Sequence, residues 1–251
     1  MVFLTEQEQK ARERVCVALD TESVDQALEW AKILSPFAKS FKIGKSLHLI
    51  AGLEGRNIIS EIAEVGGSSF LDLKGHDTPD QIRRYAMAAT VTGVNMFNIH
   101  VGSKAMNEAA LEGAFEKSKI LGIEKPLVIG VTELTSLNTA DVLRLGNPRG
   151  YEAAMLNKAK IAIEDGLDGI VCPAKFAGGL EKKFGNKLRF ITPGVQLNGL
   201  VNEGQKQVYD IASAVRDCRN SILVVGSAYT KAPNMEKQAL LGLREMAPYM
   251  N

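Results

Sequence analysis

The sequence predicts a single (β/α)8 barrel spanning residues 1–251, and three observations predict it. Eight short apolar runs alternate with helical stretches, the pattern of a parallel sheet covered by helices. Eight such units in 251 residues match the count and length of that barrel. The runs also end on polar residues or glycines, at the face where such barrels carry their chemistry. A doubly wound open sheet fits less well, because no GxGxxG follows the first run. No linker, low-complexity segment or short repeat marks a second domain.

The first strand is Val15 to Leu19, stopping at Asp20, and Ser23-Val24-Asp25 opens a helix through about Leu34. Phe41 to Gly44 is the second strand, with a helix from about Leu53 to Val65. Ser68 to Leu73 is the third, followed by helical Pro79 to Thr92. Val94 to Ile99 is the fourth, ending at His100, with Lys104 to Leu121 after it. Pro126 to Val131 is the fifth, and Tyr151 to Asp165 its helix. Gly169 to Cys172 is the sixth, with Ala174 to Phe184. Leu188 to Ile191 is the seventh, leading through a glycine-rich loop to Ile211–Arg216. Ser221 to Val225 is the eighth, ending at Gly226, and a last helix spans about Asn234 to Met246.

Composition narrows the function classes. The chain is 45% hydrophobic and 24% charged with net charge +1, so it offers no basic face for nucleic acid or for a membrane surface. No apolar run reaches the roughly 18 residues of a membrane span, and the polar segment Met1 to Arg14 has no signal-peptide core. Cys16, Cys172 and Cys218 are odd in number and lack CxxC spacing. That argues against a metal site or a disulfide framework and fits a reducing, cytoplasmic setting.

The chemistry concentrates in Phe70-Leu71-Asp72-Leu73-Lys74-Gly75-His76-Asp77-Thr78-Pro79. On a strand, Asp72 and Lys74 leave the same face. Thr78-Pro79-Asp80-Gln81 reads as a capping box with Thr78 as N-cap, which leaves Asp77 free. Lys42 lies inside Phe-Lys-Ile-Gly, where a buried strand calls for an apolar side chain, and buried lysines are paired. Lys42, Asp72, Lys74 and Asp77 therefore suggest an alternating charge network at the barrel mouth, able to ready a lysine for proton transfer. Thr132 and Thr135 end the fifth strand. His100 and His76 read as packing and turn residues.

A second cluster lies after strands seven and eight: Thr192-Pro193-Gly194-Val195, a loop with Asn198, Gly199, Gly204 and Gln205, and Val225-Gly226-Ser227. Barrels frequently bind phosphate there through backbone N–H groups. The glycines equally suit turns alone. Charge at one end and a phosphate cradle at the other suggest a phosphorylated small molecule. With no redox motif or nucleophilic triad, decarboxylation or enolisation fits.

Val17-Ala18-Leu19-Asp20, Phe41-Lys42-Ile43-Gly44, the Asp72 decapeptide, Leu134-Thr135-Ser136 and Thr192-Pro193-Gly194-Val195 recur in the order seen in orotidine 5'-phosphate decarboxylases. The chain resembles that family from about residue 14 to 235. The Asp-x-Lys-x-x-Asp element is shared with metal-dependent sugar-phosphate decarboxylases and hexulose-phosphate synthases. The resemblance implies that Lys74 protonates C6 of the pyrimidine, that Asp72 faces the substrate carboxylate, and that Lys42 orients Asp72 and contacts the ribose. It implies that Asp77 reaches across a homodimer interface, that Asp20 binds a ribose hydroxyl, and that Thr135 meets the pyrimidine edge. Gln205 and the Gly226 backbone would hold the phosphate. In the metal-dependent branch an acidic residue stands where this chain has Lys42, so the resemblance favours the branch without cofactor or metal.

Two positions depart from the family pattern. Ser227 and Gln196 stand where many members carry arginines for the phosphate. Lys231, the Ser227 hydroxyl or backbone amides at Gly194 and Gly226 are the candidate replacements. A magnesium-dependent sugar-phosphate decarboxylase or aldolase, and a non-catalytic nucleotide-binding barrel, remain the alternative readings.

Overall fold

The structure, a computed structural model, describes residues 3–197 and 209–250. Eight parallel strands close into a barrel in which each pairs with its sequence neighbours and the eighth returns to the first. The strands are Val15–Ala18, Ser40–Gly44, Ser68–Gly75, Met96–His100, Leu127–Val131, Gly169–Val171, Arg189–Pro193 and Ser221–Val225. The predicted barrel is the observed one.

Alternation along the strands separates two cores. Val15, Val17, Phe41, Phe97 and Leu223 pack outward against the helices. Cys16, Ala18, Phe70, Met96, Ile129, Ile191 and Val224 fill the barrel interior. Ala18, Lys42 and Phe70 are in register across the first three strands, so Lys42 shares the inward layer. Cys16, Cys172 and Cys218 are buried free thiols. Among the described residues, no helix is long and apolar enough to cross a membrane.

Several boundaries differ from the sequence expectation. The helix expected at about 53–65 is Ile58–Glu64, and an unexpected helix, Lys45–Leu53, precedes it. Gly55, at φ +69°, takes a left-handed turn between them, and the Asn57 side chain caps Ile58–Glu64. Glu6–Arg12, capped by the Thr5–Glu8 box, Thr139–Arg144 and Ser227–Thr230 are further short helices. Each is too short to show a helical apolar period. The third strand runs two residues past Leu73, to Gly75.

Candidate active site

At the C-terminal mouth of the barrel a cavity of about 220 Å³ is lined by Asp20, Lys42, Asp72, Lys74, Thr135 and Gly226, with Glu133, Leu134 and Pro193 among the other walls. Parity and register explain Lys42 and Asp72. Lys42 points inward at the end of the second strand, and Asp72 pairs with Gly44 beside it. Lys74 follows by a less regular route. The ladder between the third and fourth strands slips, the three residues between Leu71 and Gly75 facing the one between Phe97 and Ile99. Lys74 sits in that bulge at φ +52°, the one positive φ at a non-glycine among the described residues. An L-residue pays about 1–2 kcal/mol for that conformation, so its neighbours must hold it. The same-face argument for Asp72 and Lys74 assumed regular pleating. Here the kink, not the pleat, returns the lysine to the aspartate.

Lys42, Asp72 and Lys74 alternate in charge as expected, but the second carboxylate in the network is Asp20 and not Asp77. Lys74 Nζ donates to Asp72 Oδ1 at 2.7 Å, Lys42 Nζ lies 3.5 Å from Asp72 Oδ2, and Lys42 Nζ donates to Asp20 Oδ1 at 2.9 Å. Asp72 and Lys42 are deeply placed, with side chains 12% and 14% exposed. Burial pushes the Asp72 carboxyl up, but the ammonium groups of Lys42 and Lys74 and the hydrogen bonds from Lys74 and Asn98 outweigh it and hold it below its ordinary value. Burial pushes Lys42 down, and Asp20 and Asp72 overcome that, leaving it above its ordinary value. Asp72 and Lys42 are therefore both charged at neutral pH.

Asp77 is exposed and does not line this cavity. Its Oδ1 accepts the Thr78 backbone N–H at 2.6 Å. That corrects the capping expectation. Thr78 is the N-cap and Pro79 the first helical residue, but the Thr78 side chain makes no cap hydrogen bond. The preceding aspartate takes a backbone N–H instead.

In the second cluster, Gly194 turns the chain out of the seventh strand at φ +83°, a conformation that favours glycine. Val195–Gln196 then pairs with Tyr209–Asp210 as a small two-stranded sheet. Gln196 is only 4% exposed, and neither it nor Ser227 is part of the cavity wall. Ser227 begins the short helix after Gly226, and Lys231 is exposed beyond it. Gln205, with Asn198, Gly199 and Gly204, lies outside the described residues.

Sequence reasoning missed three side chains. Asn98, fully buried, donates its amide to Asp72 Oδ1 at 2.6 Å. Glu133 lines the cavity and is paired with Lys158 at 2.9 Å. Lys158 also donates to the Thr132 carbonyl at 2.9 Å, bracing the loop that carries Thr135. His100 meets His76 edge-on at 5.6 Å. Burial first, then Lys158, His76, Lys74 and Lys45, lower His100 to about 4, so it is neutral at physiological pH.

Comparison with known proteins agrees with the fold. The model of the orotidine 5'-phosphate decarboxylase / HUMPS family matches residues 13–240. A curated orotidine 5'-phosphate decarboxylase of Hydrogenovibrio crunogenus is 36% identical over 221 residues, 87% of this chain and 89% of that one. One of Chromobacterium violaceum is 33% identical over 231 residues, 92% and 90% of the two chains. The crystal structure of orotidine 5'-phosphate decarboxylase from Lactobacillus acidophilus superposes with a TM-score of 0.77 at 27% identity, covering 93% of this chain and 99% of that one. With the family model covering most of the sequence and curated relatives above 30% identity along nearly its full length, the chain belongs to the orotidine 5'-phosphate decarboxylase / HUMPS family.

Proposed function

We propose that this chain converts orotidine 5'-monophosphate (OMP) to uridine 5'-monophosphate and carbon dioxide, as a cytoplasmic step of pyrimidine synthesis, with no cofactor. The observation that carries the reading is the Asp20–Lys42–Asp72–Lys74 network, with alternating charges at 2.9, 3.5 and 2.7 Å, on the wall of the mouth cavity. The C6–carboxylate bond breaks and its electron pair stays on C6. The Lys74 ammonium stabilises that developing charge and delivers a proton to C6. Asp72, kept ionised, faces the leaving carboxylate, and their repulsion is relieved as carbon dioxide departs.

Lys42 also supports the choice within the family. Its ammonium lies against both Asp20 and Asp72, so a divalent cation between those carboxylates would meet a positive charge first. Asp20 is read as the ribose ligand, Thr135 as the contact to the pyrimidine edge, and Gly226, with Gln205, Ser227 and the Gly194–Gln196 segment, as the phosphate end. Asp77, exposed and outside its own cavity, is read as a contribution to the site of a second copy in a homodimer. Three buried free thiols support a reducing compartment.

The test is the ultraviolet absorbance of OMP with purified protein and excess chelator, alongside sedimentation of the same sample. Loss of the OMP band at an unchanged rate is expected, from a particle of twice the 27.2 kDa chain. Chelator-sensitive turnover would move the assignment to a magnesium-dependent sugar-phosphate lyase. Tight nucleotide binding without turnover would favour a non-catalytic barrel, and a monomer at assay concentration would remove the role given to Asp77.

A further inference from the structure

Asn98 sits midway along the fourth strand with its side chain wholly buried. Its amide touches two of the residues that carry the chemistry and treats them differently. Nδ2 donates to Asp72 Oδ1 at 2.6 Å, and Oδ1 accepts the backbone N–H of Lys74 at 2.7 Å. The carboxylate can only accept and the N–H can only donate, so an amide satisfies both at once in a single orientation.

These two bonds fall where the strand departs from regular pleating. Lys74 is held at φ +52° inside the bulge, and its N–H is the donor Asn98 receives. Asp72 Oδ1 takes both the Asn98 amide and the Lys74 ammonium, which fixes the carboxylate rotation and turns Oδ2 toward Lys42. Asn98 is braced in turn. Its backbone carbonyl accepts the Tyr85 hydroxyl at 3.3 Å, and the Tyr85 ring stands edge-on to Phe97 with centroids 5.5 Å apart. Gly75 lets the bulge close on that ring, since an added Cβ would lie 2.9 Å from it.

We propose that Asn98 is a positioning residue, which sets the Lys74 backbone and the Asp72 carboxylate in the relation that lets Lys74 deliver its proton. The kinetic part rests on the decarboxylase reading above. Two variants separate the two bonds. Asn98→Leu keeps roughly the volume and loses both. Asn98→Asp keeps an acceptor for the Lys74 N–H and replaces the donor to Asp72 with a second carboxylate.

For Asn98→Leu, kcat on OMP is expected to fall about 100-fold, the scale of a small misplacement in a reacting pair, with KM within about threefold. Amide hydrogen exchange at Lys74, followed by NMR, is expected to quicken more than about tenfold while amides elsewhere in the third and fourth strands hold. For Asn98→Asp, Lys74 protection is expected to persist. Its kcat should decline as pH rises, because the introduced carboxylate and Asp72 bond to each other only while they share a proton. A merely structural asparagine would not move the pH profile.

A kcat for Asn98→Leu within threefold of an active wild type overturns the proposal, and so does an unchanged Lys74 amide. Should Asn98→Leu fail to fold, the displaced pH profile of Asn98→Asp decides. Should the wild type leave OMP untouched, the decarboxylase reading fails, while the Lys74 exchange rates still decide the positioning.

Discussion

Lys74→Ala is expected to lower kcat for OMP decarboxylation by about 10⁴-fold or more, with KM within about tenfold and the fold intact. Two contributions leave together. A positioned general acid is worth about 10²–10⁴, and a preorganised cation at developing charge about 10²–10³. Both come from the one ammonium, 2.7 Å from Asp72 Oδ1. Asp72 keeps Lys42 and Asn98 as partners, so the truncation leaves no carboxylate alone in the site. Lys74→Arg separates the two contributions, because a guanidinium keeps its charge but scarcely gives up a proton. It is expected to recover only a small part of the lost rate. Steady-state assays with circular dichroism on each variant make the check, and Lys74→Ala turnover within tenfold of wild type would remove the proton-donor role.

The barrel and half of its site were legible because they follow from periodicity and parity. Apolar runs of strand length, alternating with helices, led to a closed parallel barrel. Lys42 stood out as a charge in an inward position of such a run, and the structure puts it in line with Ala18 and Phe70. Asn98 carried the same signal. It lies two residues from Met96, which faces the barrel interior, and a polar residue there needed a partner. What could not be read was the left-handed kink at Lys74, since a lysine carries no mark of positive φ. The Glu133–Lys158 pair joins a loop to a helix 25 positions on, and only the closed fold brings them together. Gln196, two residues after Pro-Gly, is 4% exposed in a strand that pairs with Tyr209–Asp210 across more than ten intervening residues, and that pairing has no local mark in the sequence.

Lys42→Met carries the largest expected stability effect. The substitution keeps most of the buried length and removes the cation shared by Asp20 and Asp72. Breaking a buried ion pair by taking one partner costs about 3–5 kcal/mol. Lys74 and Asn98 still serve Asp72, so about 3 kcal/mol is expected at pH 7, or a Tm lower by roughly 6–12 °C in a chain of this size. The loss should depend on pH with a definite sign. The wild-type Asp72 carboxyl is held below its ordinary 3.8, so it contributes stability above that pH and loses it as pH falls through the lowered value. Lys42, raised above 10.5, contributes below that pH and loses it as pH rises through the raised value. Without Lys42, burial pulls the Asp72 carboxyl upward and its contribution shrinks or reverses. The gap between wild type and variant should therefore be widest around neutral pH, and close as pH falls through the lowered Asp72 value. Thermal melts across that range make the test. A gap that does not narrow as acid protonates the wild-type Asp72 carboxyl would mean that Lys42 stabilises the fold by packing its stem, and that the charge network contributes little.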